Sequence, residues 1–232
     1  MDWSEKAACT MAVRMFFEHL GVLDEAQAYS SWIHNYRIEV YEKQKEISLQ
    51  HLRDNNYYKF KVVRSPYSRA VSSYFVLVKD KEYSKRHQLH RQLNLKTIDV
   101  SFQVFLEALI KLDLSTIDTH FRPQWRVYEE EFCFNKICHI ENIDTEIEQI
   151  NKATRANLSF KRVYSPHHTK LTPGTSRIVA TDPFSSYAQA IPSYDLFYNK
   201  QTKGLVEQVY QSDITAYKYD FDQFIEFYGQ SQ

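Results

Sequence analysis

The sequence predicts an α/β fold in a single domain, in which helices flank a parallel β-sheet. The first observation is that short apolar runs typical of buried strands alternate with amphipathic helical segments. The second is that glycine is scarce, with four residues, while Tyr and Phe number 17 and 15, which argues against disorder and against a turn-rich β-sandwich. The third is that the 232 residues show no internal repeat and no clear linker, so one domain can bury a sizeable core.

The first half of the chain supplies three helical segments and two strands. Residues 7–20 carry apolar side chains at helical spacing and end before a glycine, which predicts an amphipathic helix. Residues 30–40 mix β-branched and aromatic residues, so we expect a short strand and its exit there. Residues 42–55 are polar and helix-prone. The apolar run Phe60–Val63 predicts a buried strand, and residues 66–78 the helix that follows it.

Another helix, a strand and a further helix are predicted in the middle of the chain. Residues 101–110 are typical of a helix whose N-cap is Ser101 or the preceding Asp99. A strand is expected at residues 139–143. It leads into a helix over residues 144–152, whose first residue, an aspartate, is a natural N-cap.

The last third of the chain begins with an irregular segment and ends in helices. Residues 163–198 contain four of the six prolines and many Ser and Thr residues, which predicts a long segment without regular structure. Residues 204–210 and 213–228 are expected to be helical. Because strands and helices alternate along the chain, the strands of the sheet should be parallel.

Charge and cysteine content exclude several classes of protein. Lys plus Arg equals Asp plus Glu, at 29 each, so a general affinity for nucleic acid is not expected and any basic site must be local. The cysteines, Cys9, Cys133 and Cys138, form no even disulfide framework, which favours a reducing compartment. No apolar run is long enough to span a membrane, and the first residues lack a signal-peptide core, so we expect a cytoplasmic protein. No His and Cys spacing indicates a metal site.

The stretch of residues 64–74 predicts a phosphate-binding turn between a strand and a helix. It offers two guanidinium groups, Arg64 and Arg69, and the hydroxyl of Ser72. Guanidinium groups bind phosphate oxygens bidentately, and a helix N-terminus with hydroxyls completes the shell. The alternative is a solvated helix start whose arginines pair with acidic neighbours.

A second anion-binding element precedes the first helix and consists of Lys6, Ala7, Ala8, Cys9 and Thr10. Its small residues let the backbone approach an anion, and the amides of the helix start point at it. The lysine adds a mobile positive charge and the threonine a hydroxyl. The alternative is a surface lysine before an ordinary helix. The element lacks the glycines and the Gly-Lys-Ser/Thr sequence of a Walker A loop, which disfavours a nucleotide kinase.

Taken together, these elements make the chain similar to the carbohydrate sulfotransferases of the Golgi type, the group that includes chondroitin and HNK-1 sulfotransferases, and to their bacterial relatives. A third motif, Asp-x-His-Phe-x-Pro-Gln, and a fourth, Tyr-x-x-Asp-x-x-x-Tyr, strengthen the resemblance. The motifs follow the family's order and spacing over almost the whole chain, at residues 6–10, 64–74, 118–124 and 210–217.

The chain departs from the family pattern at three places. Glu5 replaces the family proline and puts a negative charge beside the loop, while Ser65 replaces an acidic residue. In the family, several apolar residues of the first strand precede the lysine, whereas here only residues 1–4 do. We therefore expect either a very short first strand or a start that lies downstream of the family's.

The resemblance implies a P-loop-like sheet and 3′-phosphoadenylyl sulfate (PAPS) as the sulfuryl donor, with no metal. The loop from Lys6 to Thr10 would bind the 5′-phosphosulfate, with Lys6 also acting in catalysis. Arg64 and Ser72, helped by Arg69, would bind the 3′-phosphate. The acceptor would be a hydroxyl of a glycan, which allows peripheral association with glycan synthesis at a membrane.

Two histidines are candidates for the general base that takes the acceptor's proton. His120 is preferred because it lies in the third motif, and His34 is retained because related enzymes place a catalytic residue after the second strand. Two alternative functions stay open: a degenerate relative that binds nucleotide or glycan without transfer, motivated by Glu5 and the short start, and a P-loop-like nucleotide kinase.

Overall fold

The computed structural model describes residues 2–44, 53–79, 90–97, 99–163 and 177–229. The chain divides into two compact units. The first unit comprises Met1–Arg64 and Arg126–His168, and the second comprises Ser65–Trp125 and Thr169–Gln232. Each unit buries apolar side chains of its own. The organisation as a single domain stays a prediction.

The described part of the chain contains these helices and strands, in chain order: β1 (Asp2–Trp3), α1 (Cys9–His19), α2 (Leu23–Tyr29), α3 (Ile33–Tyr36), α4 (Glu42–Gln44), β2 (Phe60–Val63), α5 (Pro66–Lys79), α6 (Phe102–Leu109), β3 (Lys136–His139), α7 (Ile143–Thr154), α8 (Lys200–Val209), α9 (Gln211–Tyr217) and α10 (Phe221–Tyr228). Shorter helical turns connect them: a π-helical turn at Arg37–Tyr41 and 3-10 turns at Val127–Glu130, Ile140–Asn142, Lys161–Val163, Phe184–Ser186 and Tyr194–Phe197.

The first unit is built on a parallel three-stranded sheet with β2 in the middle. Strand β1 pairs with it over two residues, with Trp3 opposite Val62. On the other side β3 pairs over four residues, ending with Val63 opposite His139. The expected strand at Phe60–Val63 and the parallel arrangement are confirmed, and β1 has two residues, in agreement with the short first strand that was one of the two expectations. The P-loop-like character of this sheet stays a prediction.

The two faces of β2 differ in chemistry because side chains alternate along a strand. Phe60 and Val62 face an apolar cluster that also contains residues of α1, β3 and α7. Lys61, with a fully buried side chain, forms an ion pair with Glu129, whose side chain is 6% exposed, at 2.5 Å between Nζ and Oε1. A buried lysine in a central strand is tolerated only when a carboxylate compensates its charge.

Helix α1 packs through two faces. Ala12 and Met15 belong to the cluster at the sheet, whereas Val13 and Phe17 pack against residues of α2 and α3. The helix agrees with the prediction for residues 7–20 except at its start, because the residues before Cys9 form a loop.

The strand expected at residues 30–40 is wrong. The segment is helical, first as α3 and then as the π-helical turn. Ile33 and Tyr36 lie three residues apart, on one side of a helix, and this spacing buries both against α1. The β-branched and aromatic residues favoured a strand in the prediction. In short runs of this kind the secondary structure depends on tertiary packing. Of the helix expected at 42–55, α4 is present, and residues 45–52 lie outside the described residues.

The strand expected at residues 139–143 is also wrong, since β3 ends at His139 and a 3-10 turn follows. The ladder stops there because its partner β2 ends at Val63. Helix α7 follows at almost the expected place. Its N-cap is Asn142 without a side-chain hydrogen bond, and Asp144 lies in the first turn, where its charge favours the helix dipole.

The second unit is helical and rich in aromatic side chains. Helix α5 confirms the prediction for residues 66–78, and its tyrosines and phenylalanine pack into one large core. Helix α6 confirms the prediction for residues 101–110. Ser101 is its N-cap and accepts a hydrogen bond from the backbone N–H of Val104 at 3.3 Å. Asp99 instead accepts a hydrogen bond from the backbone N–H of Ser185 at 2.8 Å.

The C-terminal helices begin earlier than expected. Helix α8 starts four residues before Gly204, because Asn199 and Thr202 form a reciprocal capping box. The helical region expected at 213–228 is present as α9 and α10. The described part of the irregular segment, residues 177–198, contains only short turns, and residues 164–176 lie outside the described residues. In the described ranges no helix has both the length and the apolar character needed to cross a membrane.

The buried pair of Lys61 and Glu129 predicts a large stability effect. Substituting Glu129→Gln should lower the free energy of unfolding by about 3–5 kcal/mol, because it leaves the lysine charge buried and uncompensated. Urea denaturation followed by circular dichroism measures this change. The matched control is Glu131→Gln, since Glu131 pairs with Arg53 at the surface, where both side chains are 62% exposed. The control should cost less than about 1 kcal/mol. Equal effects of the two substitutions would contradict the prediction.

Candidate functional site

The loop between β1 and α1 has an unusual backbone. Lys6 and Ala8 have positive φ angles of 65° and 56° although neither is glycine. Ala7 between them is fully buried, and its N–H donates to the carbonyl of Ser4 at 3.1 Å. A side chain in this region costs about 1–2 kcal/mol per residue. Such strain persists only where the surroundings fix it, and it clusters at ligand sites.

The start of α1 is suited to an anion. Its N-cap, Ala8, has no side-chain acceptor, and the first turn contains no acidic residue. The first N–H groups of a helix have no partner within it, and the helix dipole adds a partial positive charge there. The small side chains of the loop leave these amides accessible to a bound group.

Arg64 follows the last residue of β2 and contacts this loop directly. Its Nη1 donates a hydrogen bond to the carbonyl oxygen of Lys6 at 3.2 Å. The contact follows from the sheet, because parallel strands end at the same edge and β1 and β2 are neighbours. The structure therefore brings Arg64 together with the loop that the sequence assigned to the 5′-phosphosulfate.

His34, one of the two candidate bases, also lies at this loop. Its Nε2 is 3.3 Å from Oγ1 of Thr10, in the first turn of α1. The residue is 7% exposed, and its ring contacts the indole of Trp32 at 4.9 Å between centroids. The sequence named both His34 and Thr10 but gave no indication that they meet, because the contact depends on how α3 packs against α1.

Cys9 occupies the first position of α1. Burial raises the pKa of its thiol, Glu5 adds to the increase, and a backbone hydrogen bond at Lys6 opposes it. The thiol is therefore protonated at neutral pH and adds no negative charge to the start of α1.

His139 is a residue at the same sheet edge that the sequence analysis missed. Glu146 of α7 accepts a hydrogen bond from its backbone N–H at 3.0 Å, and Glu146 Oε1 lies 3.2 Å from Nδ1 of its ring. The signal in the sequence was a histidine at the end of a short apolar run, with a glutamate seven residues later in a helix. Among the residues that the structure describes, no group of three or more His, Cys, Asp or Glu side chains is arranged to hold a metal ion.

His120, the other candidate base, belongs to the second unit and pairs with Asp118. The Asp118 carboxylate accepts a hydrogen bond from the backbone N–H of His120 at 3.0 Å, and the same oxygen lies 2.6 Å from Nδ1 of the ring. A carboxylate at Nδ1 fixes the ring orientation and favours the tautomer that leaves Nε2 as the acceptor. Ser73 of α5 donates to the carbonyl of His120 at 2.7 Å and so fixes the backbone there.

Three of the four family motifs meet inside the second unit, around Asp213. Its carboxylate accepts hydrogen bonds from the backbone N–H groups of Gln124 and Trp125 at 2.9 and 2.8 Å, and from the side-chain amide of Gln124 at 3.3 Å. Burial raises the pKa of Asp213, and the nearby Arg69 opposes this increase. The third and fourth motifs are therefore joined by a buried carboxylate.

The residues assigned to the 3′-phosphate differ in exposure. Arg69 is fully buried, and its guanidinium carbon lies 5.7 Å from the centre of the Tyr210 ring. This packing indicates a structural role for Arg69 within the second unit. Ser72 is partly exposed, unlike the buried Ser68 and Ser73 on the same helix. Phosphate binding by Arg69 and Ser72 stays a prediction.

A loop and a helix start at the edge of a parallel sheet are typical of α/β proteins that bind an anionic group there. A family model described as the sulfotransferase family matches residues 5–220, so the chain belongs to the sulfotransferase family. Membership makes the protein a transferase by class, with sulfuryl transfer as the reaction that the family name implies. No curated protein and no solved structure gave a significant match to the chain.

The network around Asp213 predicts a specific loss of stability. Replacing Asp213 by Ala should lower the free energy of unfolding by about 3–5 kcal/mol, because it leaves buried donors and the Arg69 charge uncompensated. The change is measured by thermal and urea denaturation. The control is Asp222→Ala, which removes an exposed carboxylate from the first turn of α10 and should cost less than about 1 kcal/mol. A loss at Asp213 no larger than that of the control would contradict the buried network.

Proposed function

We propose that the protein transfers the sulfuryl group of PAPS to a hydroxyl of a carbohydrate acceptor. The observation that carries the proposal is the loop of residues 4–8, whose strained backbone opens onto the start of α1 and is bonded by Arg64. The family match supports sulfuryl transfer. The choice of PAPS and of a carbohydrate rests on the motifs, which resemble those of carbohydrate sulfotransferases.

The residues of the loop fit a phosphosulfate. The backbone of Ala7 and Ala8 can approach an anion closely because neither has a bulky side chain. Lys6 adds a full positive charge, and Thr10 a hydroxyl. The chain carries no net charge, so attraction for the donor must come from these local groups.

In the proposed reaction the acceptor oxygen forms a bond to sulfur while the bond from sulfur to the 5′-phosphate oxygen breaks. The acceptor's proton passes to a base, and adenosine 3′,5′-bisphosphate leaves. By analogy with phosphoryl transfer, the transition state is loose and its charge is spread over oxygens. Lys6 and the loop amides would stabilise the charge that grows on the leaving phosphate.

For the 3′-phosphate we retain Arg64 and Ser72, with Arg69 as a helper, on the strength of the resemblance alone. Arg64 already bonds the carbonyl of Lys6, so it would also support the loop that binds the 5′ end. We expect no metal in the reaction, because lysine and arginine side chains can supply the positive charge that sulfuryl transfer needs.

We also propose that the protein is located in the cytoplasm. Its partner would be a glycan and not a nucleic acid.

We favour His34 as the general base, with His120 as the second candidate. His34 contacts Thr10, which lies in the first turn of α1 directly after the loop that we assign to the donor. His120 has its Nδ1 beside the Asp118 carboxylate, an arrangement that prepares Nε2 to accept a proton. Both assignments are testable independently of the donor site.

The proposal predicts separate effects on binding and on transfer. The wild-type protein should bind adenosine 3′,5′-bisphosphate in calorimetry and should prefer it to ATP. Lys6→Ala should lower transfer of labelled sulfate from PAPS by at least about 100-fold, the usual effect of losing a transition-state charge contact, while largely sparing bisphosphate binding. Arg64→Ala should weaken bisphosphate binding itself.

The matched control for Lys6→Ala is Lys152→Ala, since Lys152 is an exposed lysine on α7, and it should change neither binding nor transfer. Intact turnover in Lys6→Ala would show that the 5′ loop has been placed wrongly. Bisphosphate binding without transfer to any glycan would favour the degenerate relative. A preference for ATP would favour the kinase.

The two candidate bases predict different outcomes on substitution. If His34 is the base, His34→Gln should lower kcat by about 100- to 10,000-fold with little effect on bisphosphate binding. The rate of the wild type should fall on acidification, since a protonated imidazole cannot accept the proton, and this fall should vanish in the variant. Steady-state rates of His34→Gln and His120→Gln between pH 5 and 9 make the comparison. A loss of kcat in His120→Gln alone, with none in His34→Gln, would identify His120 as the general base.

A further inference from the structure

An exposed aromatic side chain lies beside His34 in the first unit. Trp32 is 47% exposed, although large aromatic residues are usually buried. Its indole contacts the His34 ring at 4.9 Å between centroids, with 49° between the ring planes. The indole is thus both anchored by the histidine and accessible from outside the unit.

Hydrogen bonds fix the backbone that carries this indole. The N–H of Trp32 donates to Oγ of Ser30 at 3.1 Å, and the side-chain amide of Asn35 donates to the same oxygen at 3.1 Å. Ser30 thereby joins the end of α2 to the start of α3. Because the backbone is fixed and the ring already contacts His34, the indole has less conformational entropy to lose when a ligand packs against it.

His34 connects the indole of Trp32 to Thr10, at the start of α1. His34 contacts Trp32 through its ring and Thr10 through Nε2. An acceptor hydroxyl that loses its proton to His34 must lie within about 2.6–3.2 Å of a ring nitrogen. The rest of the acceptor then extends over the neighbours of His34, and one exposed neighbour is Trp32, whose ring contacts that of His34.

Carboxylates outnumber cations in residues 23–44, which contain Asp24, Glu25, Glu39 and Glu42 against Arg37 and Lys43. Glu39 accepts a hydrogen bond from the hydroxyl of Tyr29, at 2.7 Å, and Glu25 interacts with Tyr36. Arg37 forms an ion pair with Glu42 at 2.6 Å. A strongly anionic acceptor would be repelled by the carboxylates of this surface, whereas an uncharged one would not.

We infer that Trp32 binds the acceptor by stacking against an uncharged pyranose ring, whose neighbouring hydroxyl faces His34. The negative face of an indole attracts the weakly positive C–H groups on the apolar side of a sugar ring. The inference rests on the proposed function, because it requires the acceptor to meet His34. It adds the class of acceptor and the residue that selects it.

The test uses the full chain and labelled PAPS with two sets of oligosaccharides. One set contains neutral hexamers of β-linked glucose, galactose and N-acetylglucosamine, and the other contains hexamers with glucuronate in alternate positions. Label should enter the neutral set. Trp32→Ala should raise the acceptor KM by about tenfold, which corresponds to the loss of one stacked ring contact, and should leave bisphosphate affinity unchanged.

Two substitutions serve as controls. Trp32→Phe retains an aromatic face and should restore most of the acceptor affinity. Tyr57→Ala removes a comparably exposed aromatic side chain elsewhere in the first unit, where Tyr57 is 52% exposed, and should have no effect on the acceptor KM.

The outcomes separate this inference from the proposed function. Failure of the wild type to bind the bisphosphate would overturn the proposed function. An unchanged acceptor KM in Trp32→Ala would overturn the stacking role alone. Weaker bisphosphate binding in Trp32→Ala, with the acceptor KM unchanged, would mean that the indole stacks on the adenine instead. Labelling of the glucuronate set alone, or of neither set despite bisphosphate binding, would overturn the neutral sugar as acceptor.

Discussion

The pairing of β2 with a strand on each side is the constraint on which the first unit depends. The strand has only four residues, yet it is the hydrogen-bonding partner of both β1 and β3. Because all three strands are parallel, the segments that follow them emerge at one edge of the sheet. The loop at Lys6, Arg64 and His139 are neighbours for this reason.

The same constraint explains how a strained loop can persist without glycine. Ala7 is fully buried, its N–H is bonded to Ser4, and Arg64 bonds the carbonyl of Lys6. These contacts fix the backbone on both sides of the two residues with positive φ. The cost of that conformation, about 1–2 kcal/mol at each position, is offset by packing of α1 against the sheet. A loop held in this way would be preorganised for the donor that we propose, because little ordering would be left to occur on binding.

Local signals in the sequence were sufficient for part of this structure. The apolar run of β2 and the helix after it follow from residue types within a few positions and were predicted correctly, and Ser101 is one of the two caps that were expected for α6. The helical state of residues 33–41 was missed, since it depends on burial of Ile33 and Tyr36 against α1. Contacts between segments that are distant in the chain could not be predicted from a single sequence either.

The candidate site shows the same division between what is local and what is not. The loop residues could be named from a family motif, and His34 from the place where related enzymes have a catalytic residue, but the contact between Thr10 and His34 could not be predicted. Likewise the matching residues Gln124 and Asp213 gave no sign that they bond each other. A motif match reports that residues are of the family's type, without separating those that bind a ligand from those that hold the fold.

The charges of Glu5 and Lys6 limit which ligands can bind at the start of α1. Glu5 raises the pKa of the Cys9 thiol and Lys6 lowers it, so both charges act at the start of α1. An anion bound there meets the repulsion of Glu5, which must be outweighed by Lys6, by Arg64 and by the amides of the helix start. The guanidinium of Arg64 stays charged at any physiological pH. Since the chain as a whole is neutral, no long-range field draws anions toward it. Binding of a small dianionic group by a few close donors is compatible with these charges, and so is an acceptor that carries none.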